Sequence, residues 1–330
     1  MCFGISPSTT GKFFYEKGDL FMKVRFWGVR GSIPTPGPDT VRYGGETTCF
    51  EIRAGGELII VDAGSGIRRL GLHLLKEAKG KPINAHLLMT HTHWDHIQGF
   101  PFFVPGFIPN NTFHLYGCGN TNRKLEEILA GQMEHEYFPV SLGEMGATMK
   151  FTRISEQHFE IGDIKIQTMF MNHPGRALGY RFEHNGNVLV FTGDHEPYDH
   201  FLSTAEEAYQ IDGEKLSVSE LAIDQVTSRL NDKLVKFAAG ADLFIFDTAY
   251  TYEMYKAGRQ GWGHSYPEYA VDIAMRAGAK RLALTHYDPL ETDKEVDAKV
   301  KHTRQLIRDL GGGIECFGAQ VDLEVQLGHT

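Results

Sequence analysis

Short apolar runs recur along the chain, and most end at a turn former or a charged residue. By length and β-branched or aromatic content they predict strands at Lys23–Gly28, Thr48–Arg53, Glu57–Val61, Asn84–Met89 and His114–Gly117. Further strands are predicted at Lys150–Ile154, Ile164–Met169, Gly179–Phe182, Val188–Phe191, Leu243–Phe246 and Arg281–Leu284, and the chain closes on strand-like "IECFG" and "VDLEVQL". The Asn-Gly pair within "EHNGNV" marks a tight hairpin turn. Helical spacing replaces these runs at Ile67–Ala78, where Leu70, Leu74 and Leu75 share a face, and again at Pro267–Ala277 and Lys294–Leu310. Residues 197–240 read as a helical, acidic insertion, with eight Asp/Glu against four Lys/Arg. Strands and helices alternate without a long linker. The pattern therefore predicts one α/β domain over residues 22–330 with two β-rich halves. Met22 stands directly before the first strand, so residues 1–21 read as an N-terminal extension.

Composition narrows the function classes. A chain of 330 residues with 42% hydrophobic content can bury a sizeable core. Its formal charge of −9 argues against a surface that traps nucleic acid, so no long nucleic acid is expected as a partner. Cys2, Cys49, Cys118 and Cys316 are scattered, which disfavours a thiolate zinc site or a disulfide framework and fits a cytoplasmic protein. No apolar run approaches the ~20 residues that span a bilayer, and no membrane partner is expected. A homo-oligomer is left open.

The chemistry sits where the apolar runs end. Asp62 follows "LIIV", His91 follows "HLLM", His173 follows "IQTMFMN", Asp194 follows "VLVFTG", Asp247 follows "LFIF" and His286 follows "LALT". Ligands gather at the carboxyl ends of strands in α/β sheets, which gives this recurrence a physical basis. The segment "HTHWDH" puts His91, His93, Asp95 and His96 within six positions, and such a cluster is costly to bury without a cation. His91 and His93 alternate and face one side, while Asp95 and His96 open a helix and aim elsewhere. The expected division is His91, His93, His173 and Asp194 on one ion, and Asp95, His96, Asp194 and His286 on a second, bridged by the two oxygens of Asp194. Zinc is the first choice for both ions; an all-imidazole and carboxylate set also suits manganese or iron.

With "VDAGSG", "HTHWDH", "NHPGRALGYRF", "FTGDHE" and "LTHYDP" in this order, the chain resembles the metallo-β-lactamase superfamily of metallohydrolases from Lys23 onward. The resemblance implies a four-layer αβ/βα sandwich with a dinuclear site at one edge, and it makes Asp62 a structural residue beside the metals. Within the superfamily the chain is most similar to the phosphodiesterase branch, which includes ribonuclease Z, phosphoribosyl cyclic phosphodiesterase and bacterial cyclic-nucleotide phosphodiesterases. The glycine-rich "GVRGSIPTPGPDTVRYGGETTCFEI", the bridging carboxylate Asp194 and the extra His264 in "GWGHSYPEYA" carry that closer similarity. Ribonuclease Z commonly has a tRNA-gripping arm between the third metal histidine and the bridging aspartate. Here only a short hairpin separates His173 from Asp194, which points to a small-molecule phosphodiester instead of tRNA.

The expected reaction is attack of a metal-bridging hydroxide on a small phosphodiester such as a cyclic nucleotide, with Asp95, His264 and Asp247 as the catalytic residues. His264 is the general acid and Asp247 orients it. Ser265 and Glu268 are expected to form a capping box for the helix that begins at Pro267. Arg30, Ser32 and Ser265 are weaker expectations for substrate contact. "FPFFVPGFIP" reads equally as a pocket wall or as buried core. The competing readings are hydrolysis of a lactone, thioester or lactam at the same metals, and a non-catalytic metal-binding sensor.

Overall fold

The computed structural model describes residues 21–120, 122–199, 202, 210–211, 214–215 and 223–328. The extension expected at 1–21 therefore lies outside the described residues except for Phe21. The first half runs β1 (Met22–Gly28), β2 (Cys49–Ala54), β3 (Glu57–Val61), α1 (Gly66–Ala78), β4 (Asn84–Leu88), α2 (Trp94–Ile97), β5 (Thr112–Gly117), α3 (Leu125–Gly131) and β6 (Thr148–Arg153). The second half opens with β7 (His158–Ile161), β8 (Ile164–Phe170), β9 (Leu178–His184) and β10 (Asn187–Phe191). A ribbon of β11 (Gln210–Ile211) and β12 (Glu214–Lys215) follows, then α4 (Ile223–Ala238), β13 (Leu243–Asp247) and α5 (Tyr252–Met254). The chain ends with α6 (Pro267–Arg276), β14 (Arg281–Thr285), α7 (Asp293–Asp309), β15 (Glu315–Gly318) and β16 (Glu324–Leu327).

Two seven-stranded mixed sheets form the body, in the orders β16-β1-β2-β3-β4-β5-β6 and β15-β14-β13-β10-β9-β8-β7. Strand alternation explains how each sheet is covered on both faces. Ile59 and Val61 of β3 point into the core shared with Phe170, Phe182, Phe191 and Phe246 of the other sheet, while Leu58 and Ile60 point to Leu70 and Leu74 of α1. Burial of each such leucine stabilises the fold by about 1.5–3 kcal/mol. On the far side, Ala270 and Ile273 of α6 and Val296 and Val300 of α7 join the second sheet's core. The result is the expected four-layer αβ/βα sandwich.

The sheet ends that matter for function are tied together by backbone. Tyr287 N–H donates to Val29 O (3.1 Å) and Gly31 N–H donates to Tyr287 O (3.0 Å), so the loop after β1 is bound to the loop after β14 of the other sheet. The Asn-Gly hairpin forms as expected between β9 and β10, with Asn185 at φ 49° and Gly186 at φ 79°. Of the described residues in 197–240, Ile223–Ala238 is helical, as α4, while β11 pairs antiparallel with β12. Much of the remaining stretch lies outside the described residues.

Candidate metal centre

Each expected ligand reaches the same edge of the sandwich from its own strand end. His91 follows β4, and the chain between it and α2 is extended at His93 (φ −66°, ψ 153°), which caps the short helix carrying Asp95 and His96. His173 follows β8, Asp194 follows β10 and His286 follows β14. Two tight backbone features make room for them. His286 and Asp62 both adopt φ 60°, an uncommon conformation for residues with a Cβ, and strain of this kind clusters at functional sites. At Gly31 a Cβ would lie 2.2 Å from the His286 ring, so only glycine permits the close approach.

The donor atoms fall into the two groups that the spacing predicted: His91, His93, His173 and Asp194, and Asp95, His96, Asp194 and His286. In the second group His286 Nε2 is 3.1 Å from Asp95 Oδ2 and 3.2 Å from Asp194 Oδ1, and His96 Nε2 is 3.3 and 3.2 Å from the same oxygens. Ligands placed ~2.0–2.1 Å from a tetrahedral ion stand roughly 3.3 Å apart, so these spacings fit a common cation. In the first group His91 Nε2 and His173 Nε2 lie 3.5 and 3.8 Å from Asp194 Oδ2, and His93 Nδ1 is 3.0 Å from His173 Nε2. One carboxylate thus offers Oδ1 to one group and Oδ2 to the other. His91 Nε2, His96 Nε2 and Asp194 Oδ1 are buried with no hydrogen-bond partner, and a cation would supply the missing partner. By donor type, spacing and orphaned atoms, the residues fit two divalent ions. His93 is exposed, which leaves the centre open to solvent on that side.

The surrounding residues fix which ring nitrogen is offered. Asp62 sits beside these donor groups: its Oδ2 is 2.7 Å from His96 Nδ1, and its Oδ1 accepts from Thr90 N–H at 2.7 Å. His96 Nδ1 therefore holds the proton and Nε2 faces the ligand group. His173 Nδ1 donates to the carbonyl of Gly263 at 2.8 Å, with the same consequence. Electrostatics follow from crowding. Burial, with neighbouring His96, holds His91 well below the usual histidine range, and burial pushes His173 down to about 3. Burial opposes charge on His96, but Asp194, Asp95 and Asp62 raise it well above its ordinary value. Burial likewise opposes ionisation of Asp194, yet His286, His96 and His91 hold it well below the carboxylate range.

His264 and Asp247 meet as the sequence suggested. His264 Nδ1 is 2.9 Å from Asp247 Oδ2 and 3.9 Å from Asp194 Oδ2. Asp247 is anchored by the amides of His195 (3.2 Å) and Ala249 (3.0 Å).

Three expectations change. Arg30 is fully buried and spends its guanidinium on the carbonyls of Gly44 (3.0 Å) and Glu291 (2.5 Å), so it braces the loop and is not placed for substrate. Ser265 is also fully buried, and Tyr266 rather than Ser265 caps α6 without a side-chain bond. No capping box forms there, because with Tyr266 as the N-cap Ser265 and Glu268 stand out of register, and Glu268 pairs with His302 at 2.7 Å. Ser32 is exposed and contributes its backbone N–H, 2.8 Å from Asp95 Oδ2. Within "FPFFVPGFIP", Phe100 and Phe103 are core and Phe102 is exposed. Thr90 and Glu196 were not anticipated. Thr90 lies inside the motif-bearing segment, and Glu196 had only its place after Asp194 to signal it.

Comparison with known proteins agrees with this geometry. Residues 58–216 match the family described as beta-lactamase superfamily domain. Ribonuclease Z of Thermoplasma acidophilum is 24% identical over 292 residues, covering 83% of this chain and 89% of that protein. Among solved structures, the metallo-beta-lactamase fold protein YhfI from Bacillus subtilis superposes with TM-score 0.62 at 18% identity, covering 93% of this chain and 99% of that one. The short form of human tRNase Z superposes with TM-score 0.56 at 16% identity, covering 93% and 100%. The match over residues 58–216, the shared fold and the donor set together make the chain similar to metal-dependent hydrolases of the metallo-β-lactamase superfamily.

The same relatives overturn one expectation. A small-molecule substrate and no long nucleic acid were inferred from net charge and from the missing arm, yet relatives spanning most of the chain are ribonucleases by name. Net charge describes the whole surface and does not govern a local contact. Absence of an arm at one place says nothing of RNA held elsewhere.

Proposed function

We propose that this protein hydrolyses a phosphodiester bond, and that RNA belongs among its substrates. The observation that carries the reading is the placement of the Asp247–His264 pair beside Asp194, the carboxylate shared by both ligand groups. Such a pair can supply the proton that a leaving alkoxide requires, from a phosphodiester or from a lactone, and the choice of the phosphodiester follows the relatives. The similarity to proteins named Ribonuclease Z and tRNase Z supports the same reaction type and extends it to RNA.

His91, His93, His173 and Asp194 would hold one divalent ion, and Asp95, His96, Asp194 and His286 the other. When bound, such ions lower the pKa of water and neutralise phosphoryl oxygens. The chain's own residues do the rest. His264 binds Asp247 through Nδ1, which leaves Nε2 to carry the proton toward the leaving oxygen. Asp247, pinned by two backbone amides, holds the ring in that orientation and stabilises its charged form. Ser32 N–H fixes Asp95 so that Oδ2 stays with the second group. Zinc is the proposed metal, with manganese or iron the alternatives for this oxygen and nitrogen set.

The test is turnover by the protein reconstituted with Zn²⁺ or Mn²⁺, offered bis(p-nitrophenyl) phosphate, a tRNA precursor, a lactone and a chromogenic cephalosporin. Cleavage of the phosphodiesters is expected. Turnover of a carbonyl substrate with none of either phosphodiester would overturn the proposal.

A further inference from the structure

Glu196 is fully buried two residues after Asp194, and the reaction as proposed does not use it. Its carboxylate accepts three hydrogen bonds: Oε1 from Tyr255 Oη (2.9 Å) and Gly261 N–H (2.7 Å), and Oε2 from Gly263 N–H (2.6 Å). These donors all belong to the segment between α5 and α6, which opens with a helical turn at Tyr255–Arg259 and carries His264. The backbone of Glu196 is fixed as well. Its N–H donates to Asn172 O at 2.8 Å, and its carbonyl accepts from Asn172 Nδ2 at 3.1 Å, next to His173.

Gly263 is where these ties converge. Its N–H is held by Glu196, and its carbonyl takes the Nδ1 proton of His173. Its φ of 89° favours glycine, and a Cβ there would lie 2.3 Å from His173 Nδ1. The next residue is His264, held from its side chain by Asp247.

We propose that Glu196 is a positioning residue which, through Gly263, sets both the His173 ligand and the His264 acid. It touches neither ion nor substrate. Its role is to hold the carbonyl that selects the Nε2-donating tautomer of His173, and to fix the backbone from which His264 projects. This rests on the two-ion reading of the centre above, and it is independent of which substrate is cleaved.

Glu196→Gln keeps the size and removes one acceptor, so either the Gly263 amide or the Tyr255–Gly261 side meets a donor. The test measures Zn²⁺ affinity by chelator competition in three backgrounds: the otherwise native protein, His286→Ala and His173→Ala. The partners of metal-ligating histidines are typically worth 10–100-fold in affinity. Glu196→Gln should therefore weaken one of the two native sites by about 10–100-fold. It should weaken the site remaining in His286→Ala by the same factor, and leave the site remaining in His173→Ala unchanged. A phosphodiesterase assay should show a matching fall in kcat with KM nearly constant. Equal weakening in both histidine backgrounds, or unchanged affinity throughout, overturns the proposal. Glu196→Asp serves in the same comparison if the glutamine variant does not fold. If native protein cleaves no phosphodiester, the reaction proposed above fails while the affinity comparison still decides the role of Glu196.

Discussion

Asp62 Oδ2 and His96 Nδ1 stand 2.7 Å apart with neither side chain exposed, at a residue whose φ is 60°. The carboxylate also takes the Thr90 amide and hydroxyl, so its position is fixed before it fixes His96. Asp62→Asn keeps the shape but offers an amide where His96 needs an acceptor. Zn²⁺ affinity of the Asp95–His96–His286 group is expected to drop about 10–100-fold, as for other partners of metal-bound histidines. Chelator competition on the purified variant measures it, and unchanged affinity would show that His96 needs no such support.

The His264–Asp247 pair separates chemistry from metal holding. His264→Ala should lower kcat on a phosphodiester by about 10²–10⁴-fold, the usual worth of a positioned acid or base, with metal content intact. Asp247→Asn should reduce kcat in the same direction by a smaller factor, since the ring remains but loses its anionic partner. Loss of metal from His264→Ala would instead make that residue a ligand, an arrangement its distance from Asp194 permits.

Close packing at Gly31 has its own consequence. A Cβ 2.2 Å from the His286 ring leaves no room without displacing that ligand. Gly31→Ala is expected to lose activity and to bind the second ion weakly. Its melting temperature in the metal-free state should fall by only a few degrees, as for a local clash of about 1–3 kcal/mol. Calorimetry and metal analysis on the same sample distinguish this from global unfolding.

Acid should destabilise the metal-free protein through His195. Its Nδ1 accepts the Asn172 N–H at 3.2 Å, which requires a neutral ring, and burial pushes it down to about 3. An unfolded histidine titrates near ~6.5. Below that pH the unfolded chain takes up a proton that the folded chain refuses, so stability is lost as pH falls from about 6.5 toward 3. Above the unfolded value the group has no pH-dependent effect. Urea unfolding of metal-free protein should show a loss of up to about 1.4 kcal/mol per pH unit from this residue, absent in His195→Gln. Equal slopes in the two proteins would contradict it.

The strand ends made most of the site readable. An apolar run that stops at His or Asp is a local signal, and Asp62, His91, His173, Asp194, Asp247 and His286 each follow one. The alternation of His91 with His93 and the turn into α2 are also local, so the division into two ligand groups followed from chain geometry. What escaped depended on contacts across the fold. Arg30 looked free because its partners at Glu291 lie on a distant loop, and Glu196 looked ordinary because Gly261 and Gly263 come much later in the chain. Within the insertion, the short pairing of Gln210–Ile211 with Glu214–Lys215 was not legible, because two-residue strands leave no apolar run to read. The substrate expectation failed for another reason: charge and loop length constrain recognition only where a surface is known to be used.

The shared carboxylate of Asp194 is the centre of the account, and metal content per chain tests it most directly. Protein stripped of metal, reconstituted with Zn²⁺, desalted and measured by plasma emission should hold two ions per chain, and Asp194→Asn should retain at most one. One ion or none in the native chain, or two ions held equally well after Asp194→Asn, would contradict the bridged centre.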